Sequence, residues 1–139
     1  MGFAKVCLVI AGISSTAMAL YHFGLPTFFD WENYARGLPP VIHWALFSLN
    51  FFFSFLLLCG GLATIPVALR WDKREFSGYA LVLGMGAFWL ANALYQTTRP
   101  MPLPERLTWL SWLLMAFAYT ISFLYLFSCF LSLRRGSAG

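Results

Sequence analysis

The chain has 139 residues, of which 60% are hydrophobic and only 10% charged, and its formal net charge is +4. Soluble domains carry about 25% charged residues, so this composition excludes a soluble globule, and its high hydrophobicity excludes a disordered chain. The apolar runs are continuous and do not alternate with period two, which excludes a transmembrane β-barrel.

Backbone groups in lipid must be satisfied within their own segment, so each run is expected to be a helix. The pattern predicts an all-α, four-helix transmembrane bundle forming one domain over residues 1–139, with spans at about 4–23, 41–69, 76–98 and 107–133. Each run reaches the roughly 18–20 apolar residues that a helix needs to cross a bilayer core. The positive charge does not point to nucleic acid, because the basic residues flank the runs. Lys5, Arg70, Lys73, Arg74, Arg134 and Arg135 fall on one side, and Arg36, Arg99 and Arg106 on the other. That excess places both termini in the cytoplasm.

In chain order, residues 1–5, an apolar core and Ala17-Met18-Ala19 have the outline of a signal peptide with a small-x-small cleavage site. We read the segment as a retained, signal-anchor-like helix that stops near Tyr21–Gly24, since Gly24 and Pro26 are helix terminators. Between spans one and two, aromatic and acidic residues interleave from Phe28 to Tyr34. This predicts a short amphipathic helix on the outer membrane surface, with Asp30 as its N-cap and Trp31 at the headgroup layer. Pro39-Pro40 restart the chain into span two.

Span two is longer than a bilayer requires and must tilt, project or bend, with Gly60-Gly61 and Pro66 as candidate bends. The turn over 70–75 carries five charges and is aqueous. Span three is rich in Gly and Ala, including Gly84, which suits close helix packing. Pro100, Pro102 and Pro104 make the next link stiff. Trp109 and Trp112 mark the outer interface of span four. Cys7, Cys59 and Cys129 all lie within spans, so no disulfide is expected. Palmitoylation of Cys7 or Cys129 rests on position alone and requires a eukaryotic host.

The strongly polar side chains converge on one depth. His22 ends span one, His43 and Asn50 lie in the outer half of span two, and Asn92 and Gln96 in the outer half of span three. His43, Phe47, Asn50 and Ser54 form one helical stripe; Cys7, Ala11, Ser15, Met18 and His22 form another; Asn92 and Gln96 share a face. If these faces point inward, they build a polar pocket that opens outward. The bland reading is interhelical hydrogen bonding. The functional reading is a ligand such as a quinone, lipid or pigment, and a third is contact with another protein.

Two histidines on consecutive antiparallel spans are an arrangement that haem b or copper uses. Two are few, however, so we expect neither haem nor metal and predict no cofactor. No acid, Lys or Arg lies mid-span, which counts against a proton-coupled carrier. No nucleophile elbow, zinc-protease, P-loop or dinucleotide signature occurs. No catalytic residue is therefore assigned.

The segments Tyr21-His22-Phe23, Phe29-Asp30-Trp31, Gly37-Leu38-Pro39-Pro40 and Gly60-Gly61 together resemble the DoxX-like group of small four-span bacterial membrane proteins. The likeness covers the first half of the chain and rests on outline. It implies a bacterial inner-membrane protein and an accessory membrane subunit, since some members are linked to quinone-reducing oxidoreductase complexes. The leading expectation is a non-catalytic accessory or structural subunit of a larger membrane complex, energy-converting or redox, with other integral-membrane subunits and lipid as partners. The alternative is a binding protein for a hydrophobic small molecule in the outward pocket; the third is a small transporter.

Overall fold

The computed structural model describes residues 2–73, 75–101, 103 and 105–136. Arg74, Pro102 and Pro104, which figure in the loop expectations, lie outside the described residues. The chain forms α1 (Phe3–Phe28), α2 (Trp31–Ala35), α3 (Pro40–Leu69), α4 (Phe76–Thr98) and α5 (Thr108–Gly136), with single 3-10 turns at Trp71–Lys73 and Glu105–Leu107. There is no strand among the described residues. The four long helices are long and apolar enough to cross a membrane. The shortest, α4, has 23 residues, or about 35 Å at a rise of 1.5 Å per residue, against a hydrocarbon core of about 30 Å.

Burial is inverted relative to a soluble bundle. Only 33–39% of each helix's most apolar stretch is buried. Large side chains such as Leu20, Phe52, Leu56 and Phe123 face outward. The interior combines small or weakly polar residues, such as Ala4, Ala11, Ser15 and Ala19 on α1, Ser54 and Thr64 on α3, and Ala118, Ser122 and Ser128 on α5, with a few large ones, among them Leu8, Val82, Trp89 and Tyr125. Without a hydrophobic drive between helices in lipid, close backbone approach and interhelical hydrogen bonds must hold them.

Helix α1 packs along α3 on one side and α5 on the other; α4 packs along α5 and touches α3 sparsely. The tightest approach is between α1 and α3. A Cβ on Gly12 would lie 3.0 Å from the Gly61 carbonyl oxygen, and one on Gly61 would lie 2.8 Å from the Thr16 nitrogen. Gly61, expected as a site of bending, thus admits the neighbouring backbone while α3 continues as one 30-residue helix.

Helix α1 also departs from expectation, passing Gly24 and Pro26 to end at Phe28. Pro26 has no N–H, so the carbonyl of His22, four residues back, loses its helical partner. The Asn50 side chain on α3 supplies one: its Nδ2 donates to the His22 oxygen at 3.0 Å. The break that proline would cause is repaired from the adjacent helix.

The two ends of the bundle are tied differently. At the end carrying both termini, Lys5 pairs with Asp72 and donates to the Leu69 carbonyl at 3.3 Å. Trp71 is buried there and stacks on Tyr79 at 5.9 Å. At the opposite end, Asp30 adopts a left-handed conformation (φ 47°, ψ 47°), one that Asp tolerates better than most residues. Its carbonyl accepts from the nitrogens of Asn33 and Tyr34 to start α2. Glu32 reaches His43 Nε2 at 3.4 Å, and the Trp31 ring meets Phe47 edge-on at 6.1 Å.

Candidate binding site at the α2 end

Two polar arrangements occupy the interior, one above the other. The lower is a chain of hydrogen bonds joining all four long helices. Trp89 Nε1 donates to Ser15 Oγ at 2.9 Å, Ser15 Oγ lies 3.2 Å from Tyr125 Oη, and Tyr125 Oη lies 3.2 Å from Thr64 Oγ1. Thr64 donates to the Gly60 carbonyl at 2.7 Å. That last bond uses the Thr64 proton, so Thr64 accepts from Tyr125, Tyr125 accepts from Ser15, and Ser15 accepts from Trp89. One direction satisfies every member. Ser15, Thr64 and Tyr125 are fully buried and Trp89 nearly so. The chain starts on an indole, which gives its N–H and has no acceptor with which to regain a proton. It is a tie between helices and not a proton path.

One helical turn above, at Met18 and Asn92, the packing opens into a cavity of about 860 Å³. It occupies the wedge between α1 and α4, backed by Leu110 and Leu114 of α5. Helix α1 contributes Tyr21, His22 and Leu25, and α2 contributes Trp31 and Tyr34. Helix α4 contributes Asn92, Tyr95, Gln96 and Arg99. Asn92, Gln96 and Arg99 are spaced i, i+4, i+7, so they share one face. The walls are mainly apolar and aromatic with few polar groups, the usual make-up of a small-molecule site.

The polar groups are not equally engaged. Gln96 Nε2 donates to Asn92 Oδ1 at 2.6 Å, which leaves the Asn92 amide N–H groups and the Gln96 carbonyl free of that bond. The His22 ring packs on Phe53 at 4.9 Å and is in hydrogen-bonding contact with the Asn50 side chain. Arg99 forms no ion pair among the described residues.

Of the residues singled out in the sequence, His22, Asn92 and Gln96 come together around the cavity, as does Trp31. Asn50 and His43 do not line it. Asn50 repairs α1, while His43 stacks on Phe47 at 4.8 Å and faces Glu32. Trp109 and Trp112 are exposed on the outside of α5. Among the described residues, no three His, Cys, Asp or Glu side chains gather into a metal-holding group. Cys7 and Cys129 are buried, and Cys59 is exposed; all three are free thiols.

The sequence reading missed Tyr125, Trp89 and Thr64 as a set, and it missed Arg99, Tyr21, Tyr34 and Tyr95 as cavity residues. The available signals were the place of Ser15 on the α1 polar stripe and the spacing of Arg99 from Asn92 and Gln96. Comparison with protein-family models, with curated proteins and with solved structures finds no match.

Proposed function

We propose that the protein binds a hydrophobic, amphipathic small molecule in the cavity at the α2 end. The observation that supports this reading is a half-open cleft of about 860 Å³ at one end of an otherwise tightly joined bundle, toward the upper end of the roughly 300–1,000 Å³ of ligand pockets. Its polar groups are few and point to orientation of a head, while Met18, Leu25, Leu110 and Leu114 suit an apolar body. A quinone, a lipid or a pigment satisfies this description. The excess of flanking Lys and Arg supports an orientation with both termini in the cytoplasm, and the DoxX-like outline implies a bacterial inner membrane; in that orientation α2 lies on the outer surface and the cavity faces outward.

The test is purification in mild detergent followed by mass spectrometry of the extracted small molecules, for the native chain and for Leu114→Trp, which pushes an indole into the apolar part of the cavity. A hydrophobic compound retained in about stoichiometric amount by the native chain and lost from Leu114→Trp is the expected result. Identical small-molecule content in both overturns the reading.

A second reading, an accessory subunit of a larger membrane complex of the kind the DoxX-like outline implies, is favoured by α4. Ala80, Gly84, Ala87 and Ala91 are all exposed, and a Cβ on Gly84 meets nothing within 4 Å. Small residues on a lipid-facing stripe let another helix approach closely. Larger subunits that co-migrate with the native chain and are lost on Gly84→Leu are the expected result; migration of the native chain alone overturns it.

A further inference from the structure

We infer that the head of the molecule held in this cavity is acidic, a carboxylate or phosphate on an apolar chain. The inference rests on the binding reading above and narrows it.

Charge decides the point. Among the described residues, the cavity wall contains one permanent charge, the Arg99 guanidinium, and no Asp or Glu. No carboxylate lies within ion-pairing distance of Arg99 among the described residues. Guanidinium presents a planar fork of donors matched to carboxylate and phosphate oxygens. Two helical turns below, the Asn92 amide has donors left over after its carbonyl accepts from Gln96. The guanidinium is therefore the group that meets the head near the mouth, and the Asn92 amide lies deeper along the same i, i+4, i+7 face of α4.

The aromatic side chains argue the same way once Arg99 is counted. Tyr21, Trp31, Tyr34 and Tyr95 all line the cavity, and such a set by itself suits a quaternary ammonium head through cation–π attraction. Arg99 in the same wall repels that ligand, and no acid in the wall offsets the repulsion. A neutral head, such as an alcohol, leaves the guanidinium without its strongest partner. The remaining lining, Leu25, Leu110 and Leu114 with Met18, gives the chain of the amphiphile an apolar bed.

The test uses the full chain in phosphatidylcholine nanodiscs, titrated with oleate, oleyl phosphate, oleyl alcohol and oleylammonium. Binding is read as saturable change in tryptophan fluorescence and as adduct mass by native mass spectrometry. The expected result is binding of oleate or oleyl phosphate at least about tenfold tighter than the alcohol. Arg99→Gln removes that preference, and Arg99→Lys restores much of it. Which acid binds tighter tells a carboxylate source from a phosphate source, and either supports the inference.

If oleate and oleyl alcohol bind alike, and both are lost in Leu114→Trp, the cavity reading stands and the acidic head is overturned. Tightest binding of oleylammonium overturns it equally. A preference for acids that survives Arg99→Gln removes Arg99 as its cause and overturns the assignment. Saturable binding of none of the four probes fails the binding reading itself, along with this inference.

Discussion

The two halves of this bundle solve different problems with the same four helices. In the half carrying the termini, helices touch through glycine and alanine, and one hydrogen-bond chain from Trp89 to Gly60 passes through all four. In the half carrying α2, α1 and α4 separate around a cavity, and the polar side chains there are only partly satisfied by one another. The first half behaves as a clamp that allows the second to stay open. Stability and binding should therefore respond to different substitutions.

The largest expected effect lies at the α1–α3 contact. Gly61→Leu places a branched side chain where even a Cβ falls within 3.0 Å of the Gly12 carbonyl, and overpacking of this kind costs about 3 kcal/mol. Gly84→Leu faces open space and should change stability by less than about 0.5 kcal/mol. Unfolding by denaturing detergent, followed by circular dichroism, compares the two. Equal destabilisation would break the assignment of Gly61 as the close-approach site.

Next comes the hydrogen-bond chain. Tyr125→Phe removes the hydroxyl linking Ser15 to Thr64 and leaves the Ser15 proton without its acceptor. Interhelical hydrogen bonds are worth about 0.6 kcal/mol on average, and a buried unsatisfied donor adds about 1–3 kcal/mol. The expected loss is about 2 kcal/mol in the same unfolding assay, with ligand retention unchanged because Tyr125 does not line the cavity. Loss of ligand at unchanged stability would reverse the roles of the two layers.

How much of this was legible in the sequence follows from what each feature depends on. The four spans depend on composition over twenty or more residues, and pattern alone finds α3 and α4 to within a residue of their ends. The end of α1 depends on a single side chain of another helix. Gly24 and Pro26 carry a valid local stop signal, and nothing within α1 reveals that Asn50 cancels it. Polar residues at one depth pointed to His22, Asn92 and Gln96, because an amide or imidazole is conspicuous among leucines. Tyr125 and Trp89 were not conspicuous in a chain that is 19% aromatic, where a lipid-facing ring and a buried, hydrogen-bonded ring look alike until the partners are in place. His43 and Asn50 share the depth of the cavity residues but sit on α3, which the packing order puts behind α1.

The role given to Asn50 admits a two-residue test. Asn50→Leu leaves the His22 carbonyl unpaired, at a cost of about 1–2 kcal/mol. Pro26→Ala restores an N–H that bonds the same carbonyl within α1. The double variant should then recover most of the loss, and a double-mutant cycle in the unfolding assay measures the coupling. Additive effects would mean that Asn50 does something other than repair the proline, and would return it to the list of candidate ligand contacts.

The smallest effect belongs to the attachment of α2. The Glu32–His43 pair is 3.4 Å long, with the side chains 66% and 32% exposed, so it contributes no more than about 0.5 kcal/mol. His43 also stacks on Phe47, whose ring meets Trp31. Glu32→Gln weakens only the ion pair, whereas His43→Ala removes the stacking as well. Global unfolding should be almost unchanged in both. Amide exchange over 31–35 should quicken slightly in Glu32→Gln and more in His43→Ala, and His43→Phe should restore protection by keeping the stack without the contact to Glu32. If Glu32→Gln frees α2 as completely as His43→Ala, the ion pair and not the aromatic contact holds this helix beside the cavity, and its attachment becomes sensitive to salt.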